Sequence, residues 1–313
     1  MKIAFVGKGG SGKTTLAALF AQHLERQNLP VLCLDADINQ HLARALDFAS
    51  PPIPALGLEI QRIKEYVRGT NPRIGSAQEV IKTTPPGTGS RLLRLTADNP
   101  IFNYFAARRG SLKLMAAGPM DESELGVKCY HSKIGAVELI LSHLLEGPNE
   151  YVIVDMTAGA DSFASGLFTK FDLTILVVEP TLKSVEVFRQ YRRYCEGWNL
   201  CVKAVANKIE GPDDLAFLRE HLQDSLIATF TKSNYVKSLE KGARPDIAGL
   251  EPANFRALAA IQQTLDTQPQ DWDKFYRYSA EFHIKNALAW ANHDLGRDLT
   301  TQVDPTFKFQ RYL

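Results

Sequence analysis

Residues 2–24 carry the feature that most constrains this chain, an apolar strand, a glycine loop and a helix in immediate succession. Ile3 to Val6 is a short apolar run typical of a buried strand, and Leu16 to Leu24 has apolar residues at helical spacing. The stretch from Gly7 to Thr14 between them fits the P-loop spacing G-x-x-x-x-G-K-[ST]. This order of elements predicts an α/β domain that binds a phosphate-bearing ligand.

The residue types in the loop suit phosphate binding. Glycines let backbone N–H groups converge on phosphate oxygens, and the helix N-terminus adds the positive end of its dipole. We expect Lys13 to reach the β- and γ-phosphates and the Thr14 hydroxyl to ligate Mg²⁺. The alternative is a glycine turn that binds nothing. The other predicted nucleotide contacts in this loop are Gly7, Gly9, Gly10, Ser11, Gly12 and Thr15.

Acidic residues follow two further apolar runs. Val31 to Leu34 leads into Asp35 and Asp37, and Tyr151 to Val154 leads into Asp155. Ligands of open α/β sheets bind at the carboxyl ends of the strands, so these carboxylates are expected near the loop. Asp155 fits a Walker B acid that holds Mg²⁺ through water. The alternative is that these acids only end strands and cap the helices that follow.

The rest of the chain alternates strands and helices, which predicts a doubly wound, mostly parallel sheet with helices on both faces. We predict a single P-loop NTPase domain over residues 1–313. Residues 49–115 form an expected irregular insertion over the nucleotide face, and residues 251–313 a C-terminal helical extension. The tail from Thr306 to Leu313 is predicted as a packed strand or extended arm, with a membrane or partner contact as the alternative. The remaining strands are predicted at 111–117, 173–178, 202–206 and 226–230. Short helices are predicted near 58–67 and 76–81, and the last two helices at 254–265 and 273–292.

The charge and the cysteine content indicate which ligands and which cell compartment the sequence favours. The chain has 36 basic and 35 acidic residues and no long basic run, which disfavours nonspecific nucleic-acid binding. Its four cysteines show no disulfide framework, which suits a reducing cytoplasm. No apolar run approaches membrane-spanning length, and a strand at the very start predicts no signal peptide.

Lys8 directly follows Gly7 and gives the run K-G-G-x-G-K-T-T, which resembles the deviant Walker A motif of the MinD/ParA/ArsA class of P-loop ATPases. In that class the extra lysine crosses a nucleotide-sandwich dimer and touches the phosphates bound by the partner. The resemblance implies an ATP-dependent homodimer in which Lys8, Lys13 and Asp37 are catalytic. The alternative for Lys8 is a solvated surface lysine.

The same resemblance assigns further site residues. Asp37 would orient the attacking water or lie in the outer shell of Mg²⁺, and Asp35 would support the metal site. The segment from Met156 to Gly159 resembles the second switch. Asn207, followed by Lys208, would recognise the base. The run from Asn207 to Glu210 also reads as a weakened guanine motif N-K-x-D, and its glutamate favours adenine.

Within the class, the chain is similar to the nickel-insertion ATPases that mature carbon monoxide dehydrogenase. The similarity rests on the Asp-Ala-Asp strand end and on the run from Val178 to Glu186. Those ATPases carry Cys-x-Cys where this chain reads Cys129-Tyr130-His131. Two subunits would offer two thiolates and two imidazoles, a set suited to Zn²⁺ or Ni²⁺. The alternative is a buried Cys129 and a His131 at a helix start.

Three functions remain open from the sequence. The first is a slowly hydrolysing Mg-ATP switch that serves an unknown client protein as a maturation or metal-delivery factor. The second is a ParA/MinD-like positioning ATPase that binds DNA or membrane, which the near-neutral charge disfavours. The third is an amidoligase related to cobyrinate synthases, but nothing in the tail resembles their glutamine-hydrolysing domain.

Overall fold

The computed structural model describes residues 1–48, 53–119, 131–157, 163 and 166–313, and for residues 131 and 132 it describes the backbone only. Its strands are β1 Lys2–Gly7, β2 Val31–Ala36, β3 Leu93–Arg94, β4 Ala107–Arg109, β5 Leu112–Ala116, β6 Leu144–Leu145, β7 Tyr151–Met156, β8 Leu173–Val178, β9 Val202–Ile209 and β10 Leu226–Thr231. Its α-helices are α1 Lys13–Glu25, α2 Leu42–Ala45, α3 Ile60–Arg68, α4 Pro100–Phe105, α5 His131–His143, α6 Leu182–Cys195, α7 Pro212–Leu222, α8 Asn234–Glu240, α9 Pro252–Asp266, α10 Trp272–Asn286 and α11 Asn292–Leu295.

The described strands form one large sheet in the order β10-β9-β8-β1-β7-β2-β5-β4, beside a small pair of β3 and β6. All neighbours in the large sheet are parallel except β4, which runs antiparallel to β5. The predicted doubly wound, mostly parallel sheet is therefore confirmed. Strand β1 lies between β7 and β8, so the loop that follows it opens at the middle of the carboxyl edge.

Helices cover both faces of the sheet, as predicted. Strands β1, β2, β7 and β8 are buried along their whole length, and they read as nearly continuous apolar runs because both faces are covered. The core on one face includes residues of α1 and α9, and the core on the other face includes residues of α3, α5 and α6. None of the described helices is both long and apolar enough to cross a bilayer.

The segment 49–115 contributes more regular structure than its sequence predicts. It supplies β4 and most of β5, which form a hairpin around Gly110 at the edge of the large sheet. A three-residue strand of Ala, Arg and Arg has no apolar alternation, so the sequence does not reveal it. The predicted helix near 76–81 is only a short 3₁₀ turn at Ala77–Glu79. The predicted position of the segment over the nucleotide stays a prediction.

The C-terminal extension is helical as predicted, but its end differs. The expected helix over 273–292 ends at Asn286, and a π-helical turn at Ala287–Ala291 leads into α11. The tail is packed, as predicted, but of its two predicted forms the strand is wrong, because Phe309–Arg311 forms a 3₁₀ turn. Phe307 and Phe309 are buried there in one aromatic cluster with Trp272 and Phe275 of α10. Ring packing on a helix, and not pairing with a sheet edge, orders this tail.

Two buried histidines predict a loss of stability in acid. Burial lowers the pKa of His143 and of His283 to about 4. The unfolded chain takes up these protons below its ordinary pKa of 6.5, whereas the folded chain resists until about pH 4. The free energy of unfolding therefore falls as the pH drops through this window, by about 2 kcal/mol for each histidine at pH 5. Urea unfolding at pH 7 and pH 5 measures this.

His283→Gln is the matched variant for this prediction. His283 Nε2 lies 2.9 Å from the carbonyl oxygen of Leu299, and a glutamine amide can make the same hydrogen bond without titrating. We expect the variant to lose about half of the histidine-dependent fall in stability between pH 7 and 5. A pH dependence equal to that of the native chain would contradict this account.

Candidate functional site

The loop between β1 and α1 is shaped by glycines that no other residue could replace. Gly12 has a φ of 95°, and a Cβ there would overlap the side-chain amide of Asn207. A Cβ on Gly7 would lie 2.6 Å from Ser11 Oγ and 2.8 Å from the carbonyl oxygen of Val177. The loop thus wraps tightly against β8 and β9, as a phosphate-binding loop must to present its backbone N–H groups.

Two adjoining cavities open at this loop. The first has a volume of about 570 Å³ and is lined by loop residues together with Asp37, Ile38 and Thr157. The second, of about 740 Å³, lies against Asn207 and β10. Both are lined by Gly12, Thr15, Lys208 and Glu240, so they are contiguous. A ligand with phosphates in the first cavity could extend its other end into the second.

Lys13 and Asp37 meet in the first cavity. Lys13 Nζ lies 2.6 Å from Asp37 Oδ2, and both side chains are largely buried. The Asp37 Oδ1 atom accepts from the backbone N–H and the side-chain amide of Asn39 at 2.9 and 3.0 Å. The predicted phosphate-binding lysine and the predicted switch acid, which are separated by a complete helix and strand, are therefore in direct contact.

Thr14, Asp35 and Asp155 form the expected Mg²⁺ set. Thr14 Oγ1 donates to Asp155 Oδ2 at 2.6 Å, while Asp155 Oδ1 is buried without a hydrogen-bond partner among the described residues. Asp35 is also buried and accepts from the backbone N–H groups of Asp37 and Leu42 at 3.2 and 2.9 Å. Asp35 and Asp155 are register neighbours on adjacent strands.

The electrostatics of this set favour a cation. Burial, reinforced by the charge of Asp35, raises the pKa of Asp155 to about 8. Burial likewise raises the pKa of Asp35 to about 7. A divalent cation would relieve both carboxylates, and an orphaned carboxylate oxygen beside a threonine hydroxyl matches the few oxygen ligands that Mg²⁺ takes from a protein. Among the described residues no group of three or more His, Cys, Asp or Glu could hold a metal alone, so phosphate and water would complete the shell.

Lys8 lies at the rim of the loop and is about 30% exposed. Its Nζ lies 3.4 Å from Glu179 Oε2, just beyond the end of β8. Glu179 Oε1 lies 2.6 Å from Lys208 Nζ. Glu179 is not among the predicted site residues, and its place directly after a buried strand is a local signal that does not reveal its contact with Lys8.

The strand-end residues Asn207 and Lys208 form hydrogen bonds with the backbone of the phosphate loop. Asn207 Nδ2 donates to the carbonyl oxygen of Ser11 at 2.7 Å, and Lys208 Nζ donates to that of Gly10 at 2.7 Å. Lys208 adopts a positive φ of 61°, which turns it back over the loop. Both residues line the second cavity. Their predicted part in binding the base stays a prediction.

Some predicted residues lie outside the described part of the chain. Cys129, Ala158 and Gly159 belong to the ranges that the structure does not describe, and His131 opens α5 with only its backbone described. The metal site predicted at Cys129 and His131 therefore stays a prediction. Thr157, at the start of the second switch, is described. Its buried hydroxyl lines the first cavity and has no hydrogen-bond partner among the described residues.

Comparisons with known proteins agree on the fold and on the nature of the ligand. Residues 3–240 match the "CobQ/CobB/MinD/ParA nucleotide binding domain". The carbon monoxide dehydrogenase accessory protein CooC of Rhodospirillum rubrum is 28% identical over 219 residues, covering 70% of this chain and 78% of that protein. An uncharacterized ATP-binding protein of Methanocaldococcus jannaschii is 27% identical over 230 residues, covering 72% of this chain and 81% of that protein.

Solved structures show the same fold at lower identity. The MinC:MinD cell division protein complex of Aquifex aeolicus matches with a TM-score of 0.56 and 19% identity, covering 86% of this chain and 98% of that one. The septum site-determining protein MinD of Pyrococcus horikoshii, complexed with Mg-ADP, matches with a TM-score of 0.56 and 16% identity, covering 85% of this chain and 97% of that one.

Proposed function

The chain belongs to the CobQ/CobB/MinD/ParA nucleotide-binding family, and from this premise we propose that it is a dimeric switch that binds and slowly hydrolyses Mg-ATP. We further propose that it works in the cytoplasm as a maturation or metal-delivery factor for a client metalloenzyme. The observation that carries the ATPase proposal is that Lys13, Thr14 and Asp37 line one cavity. Asp155 accepts a hydrogen bond from the Thr14 hydroxyl of that cavity.

Each of these residues has a task in phosphoryl transfer. The loop N–H groups and Lys13 would bind the β- and γ-phosphates, and Asp37 lies close enough to Lys13 to orient a water against the γ-phosphate. Thr14 and Asp155, supported by Asp35, would hold Mg²⁺, which neutralises charge on the phosphates when bound. Catalysis of this kind depends on positioning and electrostatic stabilisation, and the buried, preordered side chains here supply both.

The dimer proposal rests on the rim of the loop. Lys8 is partly exposed and lies outside the pair that Lys13 makes with Asp37, so its charge is available to a second triphosphate. Two large apolar side chains that follow strands at the same carboxyl edge of the sheet are exposed, Ile38 after β2 at 43% and Leu182 after β8 at 62%. A second copy of the chain packed on this edge would cover them and bring Lys8 to its site.

The maturation role is supported by the similarity to the carbon monoxide dehydrogenase accessory protein. That similarity extends over 219 residues, 70% of the chain. The metal would be cargo for the client, and Cys129 with His131 is the proposed place where two subunits share Zn²⁺ or Ni²⁺. A shared site of this kind requires one ion for two chains.

A capture experiment tests the biological role. Asp37→Ala should bind Mg-ATP without hydrolysing it, and the trapped dimer should retain its client. We expect the captured protein to be a metalloenzyme in its metal-free form, absent when the native chain is loaded with ADP. Metal analysis of the same ATP-bound dimer should give one Zn²⁺ or Ni²⁺ per two chains, lost in the Cys129→Ser, His131→Ala double variant.

Two results would count against this role. Equal metal content in the trapped dimer and in the double variant would remove the shared metal site. Steep, salt-sensitive retention of DNA by the ATP-bound chain would favour a partitioning ATPase, because counterion release makes nonspecific DNA binding strongly salt-dependent. Lys13→Ala combined with Asp37→Ala is the matched control, since it should bind neither ATP nor client.

A further inference from the structure

One carboxylate bridges the two lysines that border the phosphate loop. Glu179 Oε1 lies 2.6 Å from Lys208 Nζ, and Glu179 Oε2 lies 3.4 Å from Lys8 Nζ. Lys208 Nζ also donates to the carbonyl oxygen of Gly10 at 2.7 Å. Glu179 therefore connects the first lysine of the loop to a second lysine that is itself fixed to the loop.

The backbone position and the negative charge of Glu179 are fixed by contacts within its own subunit. Its N–H donates to the Oγ of the buried Ser184 at 3.0 Å, which holds the turn between β8 and α6. The Glu179 side chain is only about 14% exposed. Burial opposes its negative charge, but the hydrogen bonds and charges of Lys208 and Lys8 more than offset this and lower the pKa of Glu179. The carboxylate is thus charged and positioned at neutral pH.

The two bonds of this carboxylate are unequal. Lys208 makes the short contact and has a second partner in Gly10, so it holds Glu179 against the loop. Lys8 makes the longer contact and has solvent on its other side. A competing anion can therefore draw Lys8 away while Glu179 and Lys208 remain in place.

Resting on the dimeric function proposed above, we propose that Glu179 is a positioning residue that holds Lys8 within its own subunit until the triphosphate of a second subunit competes for it. A single carboxylate binds the Lys8 ammonium more weakly than a triphosphate does, because the triphosphate has more negative charge and more acceptor oxygens. A diphosphate brings less of both. Glu179 would then set a threshold that ATP passes and ADP does not, and so make dimer formation depend on the γ-phosphate.

Glu179→Gln tests this directly, because it removes the charge and keeps the shape. In the presence of Mg²⁺ and a slowly hydrolysed ATP analogue, we expect the dissociation constant of the dimer to fall about threefold to fivefold. This is the change that the loss of one partly exposed ion pair produces. Sedimentation velocity over a range of protein concentrations measures it. Affinity for ADP in the monomer should stay within about twofold of native, since the loop residues are unchanged and Lys208 keeps its hydrogen bond to Gly10.

Two further variants make the test specific. Glu281→Gln removes a lysine partner at 2.7 Å on the exposed face of α10 and should leave the dimer constant unchanged. The Glu179→Gln, Lys8→Ala double variant should stay monomeric, because the carboxylate acts only through Lys8. An unchanged or weaker dimer in Glu179→Gln, or a dimer in the double variant, would overturn the proposal. If Lys8→Ala alone dimerised like the native chain, the proposed dimeric function itself would fail, which is a separate result.

Discussion

Lys13→Ala is expected to abolish ATP turnover, with a loss of at least about a hundredfold in kcat/KM. The lysine ammonium lies in the cavity at the N-terminus of α1, where it would neutralise the β- and γ-phosphates, and no other described lysine lines that part of the cavity except Lys208 at its rim. Phosphoryl transfer depends on stabilisation of charge more than on covalent catalysis by the protein. Removal of this lysine charge therefore removes most of the stabilisation of the transition state. Phosphate release at saturating and limiting Mg-ATP measures it.

The variant needs a control for folding. Lys13→Ala leaves the Asp37 Oδ2 atom without its lysine partner in a buried place, which costs stability as well as activity. Lys13→Gln can still donate a hydrogen bond to Asp37 and should be folded and equally inactive. Lys308→Ala, which breaks an exposed pair with Asp273, should behave like the native chain. Native turnover by either Lys13 variant would contradict the assignment of this cavity.

Lys8→Ala is expected to keep nucleotide binding but lose dimerisation, with a fall in turnover of about a hundredfold. Lys8 makes its described contact with Glu179 and not with Asp37 or Asp155, so the subunit's own Mg²⁺ and phosphate contacts survive its removal. ADP affinity should therefore stay at its native value. Sedimentation velocity should show a monomer in place of the ATP-bound dimer, and phosphate release should fall.

A mixing experiment decides whether Lys8 acts on its own subunit or on the partner. Lys8→Ala and Asp37→Ala are each expected to be inactive alone. In a mixed dimer, the intact Asp37 site of the Lys8→Ala chain would receive Lys8 from the Asp37→Ala chain. Equal mixing should restore at most about a quarter of native activity, the value for random pairing, in which half of the dimers are mixed and each has one competent site. Weaker pairing of the Lys8→Ala chain lowers this value in proportion. Mixed dimers that are seen in sedimentation and yet are inactive would place Lys8 in its own subunit's site.

How far the fold could be predicted depended on how local its signals are. The buried strands β1, β2, β7 and β8 are apolar runs that end in glycine or an acid, and each was predicted within about two residues. The hairpin of β4 and the π-helical turn after α10 were missed, since neither has a periodic apolar pattern. The sequence predicts a packed tail but does not distinguish a strand from an arm, because alternating aromatic residues can pack on a helix as well as pair in a sheet.

The candidate site divides in the same way. Lys13 and Thr14 could be recognised because glycine spacing and helix start lie within a few residues of one another. Glu179 could not, because its relation to Lys8 joins positions 171 residues apart. The contacts of Asn207 and Lys208 with the loop backbone likewise depend on β9 lying two strands from β1.

The sequence by itself determined the phosphate loop, the parallel α/β class and the acids at the strand ends, because backbone conformation and burial leave patterns within single segments. Only the tertiary structure decided that β1 lies between β7 and β8, and with it the contacts of Thr14 with Asp155 and of Lys8 with Glu179. Strand order is set by which apolar faces pack together over the whole chain. Residues that meet across such a sheet share no local pattern that a reader of the sequence could find.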